Sequence, residues 1–212
     1  MTPATEISCF YSLSSPWAYL GGPHLQDIVR RHRVKLVLKP FDFQEVVPKT
    51  GGVPIRTRPQ PRRDYHTAEL ARWSTYLGLP LNVAPRHYPM ANPVRDWNNH
   101  AGWMVIAAQE QGLDAFPLSH AILRALWAEE RDISQPEIRR AIGDENGYDG
   151  AALVAAEGSK AVQLRYRANG REAESLGVFG SPTIVVGDEL FWGQDRYGFV
   201  DRALAARPGR LA

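Results

Sequence analysis

The chain has 212 residues, 44% of them apolar, and its basic and acidic residues nearly balance at a formal net charge of +2. This length suits one large domain or one domain inserted into another, and this apolar content argues against a disordered chain. The balanced charge argues against a general nucleic-acid binder, which needs concentrated positive charge.

The first predicted element is a strand at residues 7–11, a short apolar and aromatic run that contains the only cysteine, Cys9. A thiol inside a strand is better interpreted as a small buried hydrophobe than as a nucleophile. A lone cysteine forms neither an internal disulfide nor a zinc site built on two thiolates. We see no secretory signal and no run of the ~20 apolar residues that span a membrane, so we expect a cytoplasmic protein without a membrane partner.

A helix and a second strand follow. Ser14-Ser15-Pro16 is a typical helix start, with the hydroxyl at or near the N-cap and proline in the first turn. The following apolar residues approximate one helical face, and the Gly-Gly-Pro at residues 21–23 interrupts that face, which predicts a kink. Residues 34–38 (VKLVL) predict the second strand.

The middle of the chain shows no strand alternation. Residues 48–63 are rich in proline, glycine and arginine and predict a loop. Helices are predicted at residues 64–78, 95–111, 118–129, 136–142, 150–157 and 160–176, with an irregular proline-rich stretch at residues 79–92. We therefore interpret residues 46–174 as an all-helical insertion domain.

The end of the chain returns to strands. Thr183–Val186 is β-branched and apolar, Gly187 and Asp188 can form a two-residue hairpin turn, and residues 190–192 supply the returning strand. Asp195 can cap a last helix, with Phe199 among its inward-facing residues. The predicted class is α/β: residues 1–45 and 175–212 form one discontinuous domain with a mixed sheet, because its first strand pair is parallel and its hairpin antiparallel.

Two helix starts and one loop are candidates for chemistry. The backbone N–H groups at the Ser15 helix start favour an anion to which the hydroxyl can donate, while an ordinary cap is the alternative. Asp195 can cap the last helix or also receive an amino group. Ser181 and Pro182 precede a strand, which is compatible either with a cis peptide bond or with a plain loop.

The proline-rich segments add candidates for ligand contact. Four arginines form a basic loop that is either solvated or an anion-gathering rim for an acidic substrate. They are Arg56, Arg58, Arg62 and Arg63. His87 and Tyr88 could line a substrate pocket or belong to a packed loop. His100 and His120 lack a third ligand at suitable spacing, so we predict no metal site.

Two long segments carry a family resemblance. CFYSLSSPWAYLG and GVFGSPTIVVGDELFWGQDR, with RRDYHTAELARWSTYLGLPLN and PRHYP between them, resemble the 2-hydroxychromene-2-carboxylate isomerase family. That family is related to kappa-class glutathione transferases and more distantly to DsbA-type oxidoreductases. The resemblance covers most of the chain and implies a thioredoxin-like domain, interrupted by the helical insertion, in a protein that forms a homodimer.

The same resemblance implies a glutathione site. Ser15 would lie near the glutathione sulfur, at the position where redox relatives carry a reactive cysteine. The peptide bond before Pro182 would be cis, and the backbone of Ser181 would pair with the cysteinyl backbone like an added strand. Asp195, with Gln194, would hold the γ-glutamyl end.

The glycyl end departs from the kappa-class pattern. Arg62 approximately matches a basic residue that contacts the glycyl carboxylate in related proteins. In the kappa-class pattern an asparagine near the TGGVP segment also contacts glutathione, whereas this chain has Gly51 and Gly52 there. This part of the site would be built differently, or would bind glutathione more weakly.

The function that the resemblance implies is glutathione-dependent isomerisation of 2-hydroxychromene-2-carboxylate, or a related aromatic acid, to the trans-benzylidenepyruvate. Glutathione would supply the nucleophile and Ser15 would stabilise its thiolate. Trp17, His87 and Tyr88 are candidates for contact with the substrate. A kappa-like glutathione transferase and a non-catalytic binder of a thiol or small acid stay open as alternatives. The absence of Cys-x-x-Cys argues against a dithiol oxidoreductase.

Overall fold

The strands in the described part of the protein form one mixed sheet. We describe a computed structural model over residues 6–88 and 97–206. The strands are β1 (Glu6–Tyr11), β2 (Lys35–Pro40), β3 (Thr183–Val186) and β4 (Glu189–Trp192), in the spatial order β2-β1-β3-β4. β1 runs parallel to β2 and antiparallel to β3, and β3 and β4 form the antiparallel hairpin. The predicted mixed sheet and hairpin are confirmed.

Helices make up most of the remaining structure. They are α1 (Pro16–His32), α2 (Phe43–Val46), α3 (Gln60–Leu77), α4 (Trp97–Glu110), α5 (Ala115–Trp127), α6 (Pro136–Glu145), α7 (Gly150–Ala156), α8 (Lys160–Ser175) and α9 (Tyr197–Ala206). In the described residues, none of these helices is long and apolar enough to cross a membrane. The predicted irregular stretch 79–92 and the predicted helix start at residue 95 fall in part outside the described residues.

Alternate residues of β1 face two buried clusters, as the period of a strand requires. Ile7 and Tyr11 belong to a large cluster with residues of α1, α9 and the helices between β2 and β3. Phe10 points to the other face, where it packs with Val47 and with Ala173 of α8. Because the first cluster runs through both the sheet part and the helical part, the domain boundaries near residues 45 and 175 stay a prediction.

Two predicted elements were wrong in detail. The loop expected at residues 48–63 contains a 3₁₀ turn at Ile55–Thr57, and α3 begins inside it, at Gln60. Proline is tolerated in the first turn of a helix, so Pro61 starts this helix instead of breaking it. The last helix begins at Tyr197, after a 3₁₀ turn that contains Asp195, so Asp195 is not its cap. Phe199 is 50% exposed and does not face inward.

The glycine pair in α1 has a packing role. The helix runs through Gly21, Gly22 and Pro23 without a break. A Cβ on Gly22 would lie 2.5 Å from Nδ1 of His120, and one on Gly21 would lie 2.7 Å from Cβ of Gln194. The missing side chains therefore let α5 and the 3₁₀ turn before α9 approach α1 closely.

Candidate functional site

The turn between β1 and α1 presents a serine at a helix N-terminus. Ser15 is the N-cap of α1 and Pro16 occupies the first turn, as the sequence predicts. The Ser15 hydroxyl oxygen accepts a hydrogen bond from the backbone N–H of Ala18 at 3.2 Å. Ser15 is only 7% exposed. The N-terminal N–H groups of α1 and the helix dipole make this place favourable for an anion.

Ser181 joins the β3 entry loop to this helix start. The peptide bond between Ser181 and Pro182 is cis, as predicted. The Ser181 hydroxyl oxygen accepts from the backbone N–H of Ser12 at 3.0 Å. In return, the Ser15 hydroxyl donates to the Ser181 carbonyl oxygen at 3.2 Å. The two loops therefore hold each other in register at the end of the sheet.

The single proton of the Ser15 hydroxyl is already in use. A serine hydroxyl has one donor and two acceptor positions. The donor goes to Ser181 and one acceptor position goes to Ala18. A bound anion can accept a hydrogen bond from this hydroxyl only if the hydroxyl stops donating to the Ser181 carbonyl oxygen. That oxygen then needs another donor or stays without one.

A wide cleft of about 1340 Å³ opens above Ser15 and Ser181. Its walls come from the N-terminus of α1, the segment from the 3₁₀ turn at Ile55–Thr57 into α3, the Ser181 loop and the turn before α9. Its described lining includes most of the residues that the sequence singled out. These are Ser15, Trp17, Arg62, Tyr88, Ser181, Gln194 and Asp195. This volume exceeds what a single small acid needs, so the cleft has room for a tripeptide beside a second small molecule.

Arginines from the proline-rich segment form one wall of the cleft. Arg56, Arg58 and Arg62 all line it, and among the described residues none of them forms an ion pair with a carboxylate. Arg58 Nε donates to the carbonyl oxygen of Val53 at 2.7 Å, which fixes the direction of its guanidinium. Burial and the nearby Arg62 lower the pKa of Arg58. A carboxylate bound at this wall would relieve the repulsion between these two cations.

The cleft also contains a buried amide nitrogen that has no hydrogen-bond partner within the described residues. Gln194 is 5% exposed, and its Nε2 has no hydrogen-bond acceptor in the described part of the chain. The neighbouring Asp195 carboxylate is exposed and lies 3.5 Å from the guanidinium of Arg196. A buried donor without an acceptor costs free energy, so an acceptor brought by a ligand would be stabilising at this position.

Glycines shape the rim of the cleft beside Ser181. A Cβ on Gly52 would lie 2.2 Å from the carbonyl oxygen of Phe179, so no side chain fits there. A Cβ on Gly180 would lie 2.0 Å from Nε1 of Trp192, whose indole covers that backbone. Phe179 and Trp192 also contact each other edge to face, with ring centroids 5.0 Å apart. An asparagine in place of Gly52 therefore does not fit this backbone.

The second wall of the cleft holds a tryptophan–histidine pair. Trp17, in the first turn of α1, donates from Nε1 to Nε2 of His66 on α3 at 3.1 Å. The two rings meet edge to face, with centroids 5.4 Å apart. Burial, and then the charge of Arg58, lowers the pKa of His66, so the imidazole is neutral near pH 7.

The two substrate candidates in the irregular stretch differ in position. Tyr88 lines the cleft and packs on Trp127, with ring centroids 4.9 Å apart, and burial raises the pKa of its phenol. His87 is not among the described residues that line the cleft, and its Nδ1 lies 3.9 Å from the Asp132 carboxylate. The structure therefore brings Tyr88, but not His87, to the other site residues.

The cysteine lies away from this chemistry. Cys9 is buried in β1, and burial raises the pKa of its thiol to about 12. A thiol with this pKa carries almost no thiolate near neutral pH. In the described residues no group of three or more His, Cys, Asp or Glu side chains is arranged to hold a metal ion.

His66 and the orphan amide of Gln194 escape sequence reasoning in different ways. His66 is one more histidine in an exposed-looking helical segment, and only its neighbour across the cleft distinguishes it. Gln194 lies within a segment that drew attention, but its burial depends on the glycines of α1. A local pattern reports neither contact.

Comparison with known proteins gives consistent relatives. The DSBA-like thioredoxin domain family model matches residues 6–205. A protein of Sphingobium xenophagum named 2-hydroxychromene-2-carboxylate isomerase is 29% identical over 93% of this chain and 97% of its own length. A Pseudomonas putida protein of the same name is 25% identical over 97% of this chain and 95% of its own.

Solved structures share the fold. A structure of 2-hydroxychromene-2-carboxylate isomerase superposes with a TM-score of 0.75 and 22% identity, covering 94% of each chain. The cytosolic disulfide reductase DsbM from Pseudomonas aeruginosa, solved with GSH, superposes with a TM-score of 0.66 and 20% identity, over 94% of this chain and 96% of that one. These likenesses concern the thioredoxin-like fold.

Proposed function

The chain belongs to the DSBA-like thioredoxin domain family, and we propose that it is a glutathione-dependent isomerase of 2-hydroxychromene-2-carboxylate or a related aromatic acid. The relatives with this name match nearly the whole chain. The observation that carries the proposal is Ser15, a buried hydroxyl at the N-terminus of α1 on the floor of a wide cleft. A hydroxyl there can stabilise a thiolate but cannot form a disulfide, which favours isomerisation over redox chemistry.

The residues of the cleft fit glutathione by their chemistry. This tripeptide carries an amino group and two carboxylates. Asp195 offers a carboxylate for the amino group, and the buried Nε2 of Gln194 needs an acceptor. Arg62 belongs to a wall of arginines that form no ion pair within the described residues. When bound, glutathione would supply the thiolate that adds to the conjugated double bond of the substrate and later leaves it.

The hydrogen bonds of Ser15 give this proposal a definite first step. An extended peptide that pairs with Ser181 brings its own backbone N–H to the Ser181 carbonyl oxygen. That N–H would take the place of the Ser15 hydroxyl, which donates to the Ser181 carbonyl oxygen at 3.2 Å in the free protein. The hydroxyl is then free to rotate and donate to a thiolate at the helix N-terminus. Ser15 keeps its second role, because its oxygen still caps Ala18.

The remaining cleft surface suits an aromatic acid. Trp17 and Tyr88 present aromatic surface, and Arg56 and Arg58 present guanidinium groups on the neighbouring wall. Aromatic faces bind a flat ring and arginine forks bind a carboxylate, so the substrate acid would lie between these walls.

We further propose that the protein acts in the cytoplasm, as the name of the DsbM relative says of that protein, and that it forms a homodimer.

The test is turnover of purified protein with and without glutathione, followed by the ultraviolet spectra of substrate and product. We expect isomerisation to the trans-benzylidenepyruvate that requires catalytic glutathione and leaves the total free thiol unchanged. Loss of one thiol per product would instead identify the kappa-like transferase. Glutathione binding without turnover of the acid would identify a binding protein and overturn the proposal. Light scattering in the same buffer tests the homodimer.

A further inference from the structure

The Trp17–His66 pair fixes where the histidine carries its proton. An indole nitrogen is a donor only, so the 3.1 Å bond from Trp17 Nε1 makes Nε2 of His66 the acceptor. A neutral imidazole has one protonated and one bare nitrogen, so the proton lies on Nδ1. Protonation of Nε2 would break this bond and place two donors face to face.

The protonated nitrogen is free to contact a ligand. His66 lines the same cleft as Ser15, and within the described residues its Nδ1 has no hydrogen-bond partner. Trp17 follows Ser15 by two positions in α1, so the pair faces the space next to the helix start. Arg58, whose charge reaches the imidazole, lines the adjacent wall.

We propose that His66, held in this tautomer by Trp17, donates its Nδ1–H to the ketone oxygen of the bound aromatic acid in its ring-opened form. In that form the hemiketal C–O bond of the chromene has broken and its hydroxyl proton has moved to the phenol oxygen. This inference rests on the proposed function and assigns a further catalytic residue to it. As a carbon–sulfur bond forms at the conjugated double bond, the π-electron pair moves through the conjugated system onto that carbonyl oxygen. After rotation the pair returns, the double bond re-forms, and the carbon–sulfur bond breaks. No proton is gained or lost.

A neutral imidazole suits this role better than an imidazolium. The negative charge on the oxygen must return to carbon, so a donor that hydrogen-bonds without giving up its proton is required. The N–H of a neutral imidazole is a very weak acid and serves as such an electrophile in enzymes. The bond from Trp17 and the burial beside Arg58 both disfavour the imidazolium, so two independent features keep His66 in the required form.

The first test is independent of activity. Nitrogen-15 NMR of the free protein, labelled at histidine, reports which ring nitrogen carries the proton. We expect His66 in the Nδ1–H tautomer at neutral pH, and Trp17→Phe to remove this preference while leaving the fold intact by circular dichroism. An Nε2–H tautomer or an imidazolium for His66 in the wild type would overturn the inference, even if the isomerase activity is present.

The second test is kinetic. Loss of a donor to a developing oxyanion slows turnover by about 10²–10³ in a closed site, and we expect about tenfold to a hundredfold here because the cleft is open. His66→Phe should lower kcat by this factor with little change in the Kd of glutathione, and His66→Gln should retain part of the activity through its amide donor. His24→Gln, an exposed histidine on α1 outside the cleft, is the matched control.

The outcomes separate this inference from the proposed function. An active wild type with unchanged kcat in His66→Phe overturns the role of His66 alone. An inactive wild type overturns the proposed function and this inference with it. A rise in KM at constant kcat would show that His66 contributes only to binding, and would also contradict the proposed stabilisation of charge. Equal thermal midpoints of the variants exclude misfolding as the cause.

Discussion

Ser15→Ala removes two hydrogen bonds that the protein forms without ligand. One is the N-cap bond from Ala18, whose loss costs about 1 kcal/mol. The other is the 3.2 Å bond to the Ser181 carbonyl oxygen, a neutral bond that contributes about 1 kcal/mol. We expect the free energy of unfolding, measured by urea denaturation, to fall by about 1–2 kcal/mol, because water reaches the vacated carbonyl only in part.

The effect on turnover has a separate origin. A hydrogen bond to a charged partner contributes about 1.5–3 kcal/mol, so losing the Ser15 donor to the thiolate should slow turnover by roughly tenfold to a hundredfold. Glutathione should bind nearly as well, since the contacts proposed for Ser181 and Asp195 are unchanged in this variant. The thiol pKa of bound glutathione should rise, because the thiolate has lost a donor. Stopped-flow turnover and thiolate absorbance against pH measure these quantities.

A matched control separates stability from chemistry. Ser159 caps α8 by accepting from Val162 N–H at 3.3 Å, and it is exposed and outside the cleft. Ser159→Ala should lose about 1 kcal/mol of stability and keep full activity. The reasoning fails if Ser15→Ala shows unchanged turnover and an unchanged thiol pKa, since Ser15 would then be a helix cap only.

Three further changes test other parts of the structure. Gln194→Leu removes a buried donor that has no partner in the described residues, so the free energy of unfolding should stay constant or rise by up to about 1 kcal/mol. The Kd of glutathione, measured by calorimetry, should rise about fivefold. Marked destabilisation would contradict the unpaired amide. Burial lowers the pKa of His120 from 6.5, so the unfolded chain binds more protons than the folded protein. Stability therefore falls as the pH drops below 6.5. His120→Leu should make this decline smaller in acid denaturation curves. Gly52→Ala brings a Cβ within 2.2 Å of the Phe179 carbonyl oxygen and should lower the free energy of unfolding by about 1–3 kcal/mol. Gly158→Ala, at a glycine with open space around it, should leave stability unchanged. Equal midpoints of the two variants in thermal melts would refute the close contact.

The elements with local signals could be predicted from the residues alone. The Ser15-Pro16 helix start and the hairpin with Gly187 in its turn appear where the sequence predicts them. Strand periodicity and turn chemistry depend on neighbours a few residues apart, so they can be read without the fold. Two predictions were wrong. The prolines near Gln60 lie at the start of a helix and not in a loop, and Asp195 lies in a 3₁₀ turn and is not a helix cap.

The hydrogen-bond partners of the site residues depend on tertiary contacts. The partner of the Ser15 hydroxyl is the carbonyl of Ser181, 166 positions away, and Trp17 meets His66 across 49 positions. The orphan amide of Gln194 depends on close packing against Gly21. Each of these properties depends on an atom that another element brings within a few ångströms. The partner and direction of such a hydrogen bond therefore cannot be predicted from the neighbouring residues in the sequence.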